Sequence, residues 1–203
     1  ALETVVVDTT VQEKAVAYPT DSRLLEVARR KIALEANRAG IVLKQSYAKE
    51  GSQLRRRAGG YAHAKQFKRL RRVLKRQRTI LGRLLRDVRR KMGTLSQAAQ
   101  AKLGRWLEVA ERLHTQRPKD TGKLYALHAP EVECIGKGKA RQPYEFGVKV
   151  SVAISHEAGL VVGARSVAGN PYDGHTLSEQ LEQTGILLQD VEAKPHTVYA
   201  DLG

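Results

Sequence analysis

Apolar and polar positions divide the chain into stretches of different period. Near the N-terminus Val5, Val6 and Val7 form a run of β-branched residues between Thr4 and Asp8-Thr9-Thr10. Such a run predicts a short strand buried on both faces. From Arg23 the period becomes helical: Leu24, Leu25, Ala28, Ile32, Ala36 and Ala39 recur at helical spacing, and Gly40 ends the series. Pro19 disfavours helix before it, and Thr20, Asp21 or Ser22 can serve as N-cap. Residues 45–60 show no such period and read as a basic loop that Gly59-Gly60 breaks. The most regular series follows, with Phe67, Leu70, Leu74, Leu81, Leu84 and Val88 forming a seam in which Gln77 is the polar member. Val73, Ile80 and Leu85 widen the seam, which predicts an amphipathic helix of roughly 30 residues. A third helix, from about Ser96 to His114, presents Ala99, Leu103, Trp106, Leu107, Ala110 and Leu113.

Beyond Gly122 the pattern turns to extended chain. Residues 123–127 and 132–135 read as short extended pieces, and Gly136-Lys137-Gly138-Lys139 as a basic turn. Residues 144–154 alternate as a strand does, with Gly147 marking a bulge or a close backbone approach. A hairpin turn at residues 156–159 sends residues 160–167 back antiparallel. Residues 169–174 form a loop, Leu177 and Leu181 share one face of a helix from Thr176 to about Gln183, and a last strand leads into Asp201. With the helical stretch set aside, the order is strand, antiparallel pair, helix, strand. This is an α/β fold in the ribonuclease H-like order, a mixed sheet interrupted by a large basic helical insertion. The boundaries are 1–20 for the first strand and its loop, 21–122 for the insertion and 123–203 for the rest of the core. The chain opens on Ala1 without a methionine and stops at Gly203, so both ends read as cut.

Charge adds a partner to this picture. Against 21 Asp and Glu stand 36 Lys and Arg, a formal net charge of +15 over 203 residues. Such an excess favours polyanions, nucleic acid first and anionic membrane surfaces second. No apolar run approaches the ~20 residues of a membrane helix. One cysteine, Cys134, allows no internal disulfide and fits a reducing, cytoplasmic setting.

The candidate chemistry lies at the two ends. Asp8 closes the first strand and Asp201 the last, so neighbouring strands would set two carboxylates at one sheet edge to share a divalent metal. The plain alternative is that each aspartate only ends a strand or begins a turn. Asp173 is a rival second carboxylate, although its Asp-Gly context suits a turn or a helix cap, while Glu145 and Glu157 read as solvated strand and turn residues. His128, His156, His175 and His196 lack metal-ligand spacing, which argues against zinc. No Walker A loop, dinucleotide-binding glycine pattern or nucleophile elbow occurs. For polyanion contact the candidates are Arg55, Arg56 and Arg57 on a loop that enters a groove, and Lys65, Lys68, Arg69, Arg72, Lys75 and Arg76 on the long helix. Their bland reading is the solvated face of a packed insertion.

Four stretches in order resemble the DDE transposases of bacterial insertion sequences, in the branch with a ribonuclease H-like catalytic domain. They are Val6-Val7-Asp8-Thr9-Thr10, residues 139–149 around Tyr144-Glu145-Phe146-Gly147, residues 169–177 around Asn170-Pro171-Tyr172-Asp173-Gly174, and Tyr199-Ala200-Asp201-Leu202-Gly203. The resemblance implies that Asp8 and Asp201 are the first two catalytic carboxylates, acting with Mg²⁺, or Mn²⁺ as substitute. It implies hydrolysis of a phosphodiester at a transposon end and transfer of the freed 3′ hydroxyl to target DNA. Two hard cations roughly 4 Å apart would activate the attacking oxygen and stabilise the leaving one. Double-stranded DNA is then the partner, as transposon end and as target, with room for a homodimer. The family's third carboxylate, a later glutamate, and its N-terminal DNA-end-binding helices have no counterpart here. The expectation is an internal fragment with weak metal binding and little or no cleavage by itself. Two competing classes remain open: a non-catalytic basic nucleic-acid-binding protein with structural aspartates, and a helical interaction module that uses the Phe67 to Val88 seam.

Overall fold

A computed structural model describes residues 2–136 and 142–200. Among these the chain forms five strands and five α-helices, and it divides into two compact units. A sheet unit takes the residues up to 15 and those from 131 on; a helical unit takes Val16–Pro130.

In the sheet unit β1 (Thr4–Glu13), β3 (Tyr144–Ser155) and β4 (Val161–Val167) are joined by β2 (Glu133–Gly136) and β5 (Thr197–Ala200). β3 runs antiparallel to β1 from Val5↔Ser155 to Glu13↔Gly147. Its other edge is shared: β2 pairs with Tyr144 to Gly147, and β4 pairs with Lys149 to Ile154. β5 lies on the far side of β1 and parallel to it, in the register Thr4↔Thr197 to Val7↔Ala200. A parallel neighbour requires a crossover, and α5 (Asp173–Leu187) supplies it, packing on β4, β3 and β1. This helix begins at Asp173 and ends at Leu187, longer at both ends than the apolar pair Leu177 and Leu181 suggests.

The face that α5 covers is unusual in composition. Along β3 it is Gly147, Lys149, Ser151, Ala153 and Ser155 that are buried, while Val148, Val150, Val152 and Ile154 stay half-buried. The apolar core on the α5 side is small: Val5, Val7 and Ala153, with Val162, Leu177, Leu181 and Val198 packed against them. Two glycines make the close approaches possible. A Cβ on Gly147 would collide with the Gln12 carbonyl, and one on Gly163 with Thr184 Oγ1 and the Gln180 amide. Gly147 therefore marks a close backbone approach; the irregularity in pairing lies instead between Ala153 and Ile154.

The helical unit has four helices where periodicity predicts three. They are α1 (Asp21–Arg38), α2 (Ala48–His63), α3 (Phe67–Lys91) and α4 (Gln97–Thr115). Residues 48–60 are thus helix rather than loop, and Gly59-Gly60 lies inside α2. Leu54 and Ala58, one turn apart, are buried in the common core, and tertiary burial of this kind outweighs a cost of about 1 kcal/mol for each helical glycine. α3 spans 25 residues, shorter than the seam predicts because Lys65 adopts a left-handed conformation (φ 53°) just before it. Thr20 is the N-cap of α1, its Oγ1 accepting from Arg23 N–H at 3.3 Å, and Ser96 caps α4 in the same way. Residues 123–127 form no strand; Leu124 and Leu127 are buried against the helices.

α3 is the centre of this unit and packs on α1, α2 and α4. Ile80, Leu81, Leu84, Leu85 and Val88 are almost completely buried. Gln77, the polar member of the seam, donates from Nε2 to the Ser22 carbonyl at the start of α1, at 3.2 Å. The seam from Val73 to Val88 is consumed inside the unit, so an interaction module presenting that seam is ruled out; Phe67 alone of its apolar members stays exposed. No helix among the described residues is long and apolar enough to cross a membrane.

Candidate functional site

Strand alternation decides where Asp8 points. Val5 and Val7 face α5 and are buried, so Val6 and Asp8 lie on the opposite face, and Asp8 is exposed. Its Oδ1 accepts a hydrogen bond from the Thr9 N–H at 2.7 Å. No Lys, Arg or His among the described residues pairs with it, so its charge stays available to a hard cation. The parallel ladder brings Val7 beside Ala200. Asp201, the second expected carboxylate and metal ligand, lies outside the described residues, as do residues 137–139 of the basic turn.

Thr9 returns to the α5 side. Its hydroxyl donates to Asp173 Oδ1 at 2.9 Å, and the same oxygen is 2.5 Å from the Lys149 ammonium. Lys149 Nζ also donates to the Pro171 carbonyl at 2.7 Å, and the lysine is buried. A buried ammonium is tolerated when a carboxylate and a carbonyl take over from water, and Asp173 is that carboxylate. The sequence offers Asp173 as a metal ligand or helix cap. It instead neutralises Lys149, and α5 has no side-chain cap at Tyr172. Asp8, Thr9, Asp173 and Lys149 thus form one connected chain from the exposed carboxylate through the sheet to the first turn of α5.

Among the described residues no three of His, Cys, Asp and Glu come together as a metal cluster. Glu145 is half-buried on β3, and Glu157 is exposed in the β3–β4 turn. For the cation itself the donor chemistry is suitable. Asp8 does not close its strand, since β1 goes on pairing with β3 as far as Glu13; it is a mid-strand carboxylate that no cation among the described residues compensates. Mg²⁺ takes one or two carboxylates, with water and substrate phosphates completing its shell.

The basic residues expected to contact DNA are all in the helical unit. Arg55, Arg56 and Arg57 lie on α2, with Arg55 half-buried and the other two exposed. Lys65 is in the turn before α3, and Lys68, Arg69, Arg72 and Lys75 are exposed on α3. Arg76 differs from these: its guanidinium donates Nε and Nη2 to the two oxygens of Glu50, at 2.6 and 3.0 Å. That bidentate bond holds the Glu50 carboxyl below its ordinary value. Tyr61, beside the three arginines in the sequence, stands half-buried between Arg57 and Arg69, and Arg83, Arg86 and Arg90 prolong the exposed basic side of α3. The helical period that revealed the apolar seam also carries this second series. Lys68, Arg72, Lys75, Thr79, Arg83, Arg86 and Arg90 follow at steps of three and four. Lys149 left no comparable signal, because a lysine at an alternate strand position reads as solvated.

Comparison with known proteins adds one partial relative. An uncharacterised protein, ORF8 of the nfe locus of Rhizobium meliloti, is 51% identical over 67 residues, which is 33% of this chain. The match spans 32% of that protein's own length. No family model and no solved structure matches the chain.

Proposed function

We propose that the chain carries part of the catalytic core of a DDE-type DNA transposase, with Asp8 and Asp201 as carboxylates for a divalent cation and DNA as substrate. The single observation that carries the reading is the parallel pairing of β5 with β1, which ends at Val7↔Ala200. It brings the backbone that leads into Asp8 beside the backbone that leads into Asp201. The strand order supports the ribonuclease H-like assignment: β4, β3, β1, β5, with a helix crossing between the antiparallel hairpin and the parallel strand. Asp8, unpaired with any cation among the described residues, supports the choice of this carboxylate over Asp173, which Lys149 occupies. When bound, Mg²⁺ would polarise the scissile phosphate and activate the attacking oxygen. The chain's own part is to hold Asp8 on β1 just past the last β1–β5 pair, with the Thr9 N–H donating to it, and to gather DNA on its basic helices.

A two-carboxylate set needs substrate phosphates to complete the cation's shell. Metal binding is therefore coupled to DNA binding. Mn²⁺ titration followed by electron paramagnetic resonance tests this, with and without a short duplex. Tighter binding with duplex, abolished by Asp8→Asn and by Asp201→Asn, is the expected result. An affinity unchanged by both substitutions overturns the assignment. A second reading, a non-catalytic nucleic-acid-binding protein, is favoured by the concentration of basic residues on the helical unit. It predicts DNA binding that no divalent cation alters.

A further inference from the structure

The hairpin of α2 and α3 encloses a cleft of about 440 Å³ whose charge is unbalanced. Leu54 from α2 and Val73 from α3 are buried and form its floor. Arg57 and Tyr61, one turn apart on α2, face Arg69, Arg72 and Arg76 on α3. The one carboxylate lining the cleft, Glu50, is fully engaged by Arg76. Arg57, Arg69 and Arg72 have no carboxylate partner among the described residues, so three guanidinium groups share this space uncompensated.

Two of the three, Arg57 and Arg69, are held by uncharged groups. The guanidinium carbons of Arg57 and Arg69 each lie 5.9 Å from the centre of the Tyr61 ring. Arg57 Nη2 donates to the Tyr61 hydroxyl at 3.4 Å, and Arg69 Nη1 donates to Gln66 Oε1 at 2.9 Å. The Arg57 hydrogen bond and charge also hold the Tyr61 phenol below its ordinary value. Arginines braced on a ring and an amide keep other N–H donors for a ligand, and the planar fork matches the oxygens of a phosphate.

We propose that the α2–α3 cleft binds a backbone phosphate of nucleic acid through Arg57, Arg69 and Arg72. The exposed basic series on α3 selects a polymer over a single anion. From Lys68 to Arg90 it covers about 33 Å of helix, a length over which each strand of a duplex carries roughly ten phosphates. The cleft anchors one phosphate, and Lys75, Arg83 and Arg86 follow the strand beyond it. This site rests on the reading that DNA is the chain's substrate, but it needs neither Asp8 nor a metal.

The test is binding of a 20-base-pair duplex by the full chain in EDTA, as a function of salt. Arg69→Gln/Arg72→Gln is compared with Lys102→Gln/Arg105→Gln, an equal loss of charge from exposed positions on α4. The cleft variant should bind about tenfold more weakly at moderate salt. Its log–log salt slope should fall by about 1, the counterion equivalent of the one phosphate the cleft anchors. Arg57→Gln alone should weaken binding less than the double variant does and lower the slope by no more than about 1. The α4 variant should stay within about twofold of the unaltered chain. Equal losses from both double variants would show a diffuse field and overturn the cleft while leaving DNA as the partner. No duplex binding by the unaltered chain would overturn the DNA reading itself. Competition by polyglutamate as effective as by duplex would overturn the choice of nucleic acid over an acidic protein.

Discussion

Removing Asp173 should cost far more than removing the lysine it neutralises. The Lys149 side chain is 9% exposed and that of Asp173 is 29% exposed. In Asp173→Ala the ammonium keeps only the Pro171 carbonyl, out of reach of bulk water. A buried charge stripped of its counter-ion costs about 3–5 kcal/mol. In Lys149→Met an apolar chain of similar length fills the same space, and the Asp173 carboxylate is left near solvent with the Thr9 hydroxyl still donating. That loss should be only about 1–2 kcal/mol. The double variant Lys149→Met/Asp173→Ala removes both charges and should be more stable than Asp173→Ala alone. Native-state amide hydrogen exchange in α5 and β3 reads these differences locally, each 1.4 kcal/mol being about a tenfold change in exchange rate. Trp106, the chain's single tryptophan, lies on α4 of the helical unit and serves as the internal control. Equal costs for the two single variants, or additive costs in the double, would refute the claim that Asp173 exists to neutralise Lys149.

The helical unit yields two further expectations. Leu84→Ala empties a site that is 1% exposed at the centre of α3, and urea unfolding followed by Trp106 fluorescence should show a loss of about 2–5 kcal/mol. The Asp87 carboxyl is held below its ordinary value mainly by the Lys44 N–H, with Lys91 and Arg90 adding to this against burial. A carboxyl depressed in the folded state contributes stability above its unfolded value and loses it as pH falls through the folded one. Unfolding midpoints should therefore fall on acidification below about pH 5, and Asp87→Asn should flatten part of that fall while costing about 1.5–3 kcal/mol at neutral pH. Glu35, which burial alone would raise but which Lys31 and Arg38 bring below its ordinary value, contributes in the same direction, so the flattening is partial.

Long apolar series were legible because many residues speak for one face. The α3 seam and the α1 and α4 stripes lie where the period puts them, and β1, the β3–β4 hairpin and α5 follow in the expected order. Two features escaped for physical reasons. α2 buries only Leu54 and Ala58 as apolar side chains, too few to outvote three arginines and three glycines when the sequence is read alone. On β3 the valines alternate with Gly, Lys, Ser and Ala, and a hydrophobic count would bury the valines. Packing buries the smaller side chains instead, because α5 approaches the sheet closely at Gly163 and brings Gln180 and Thr184 with it. The three valines placed Asp8 on the first strand but not its end: β1 continues past it to Glu13, because Thr9, Thr10, Val11 and Gln12 go on pairing with β3. The link from Thr9 through Asp173 to Lys149 joins residues 9, 149 and 173, and no local pattern records such a contact.

The most direct test of the central claim is to let the cation report its own neighbours. Fe²⁺ substituted for Mg²⁺, with ascorbate and peroxide, generates radicals that cut the backbone close to the bound metal, and the cuts are mapped by mass spectrometry in the presence of duplex DNA. A shared site predicts two clusters of cleavage, around residue 8 and around residues 198–201, both lost together in Asp8→Asn. Cleavage confined to other segments, or unchanged in Asp8→Asn, would contradict a metal held between Asp8 on β1 and the chain that follows β5.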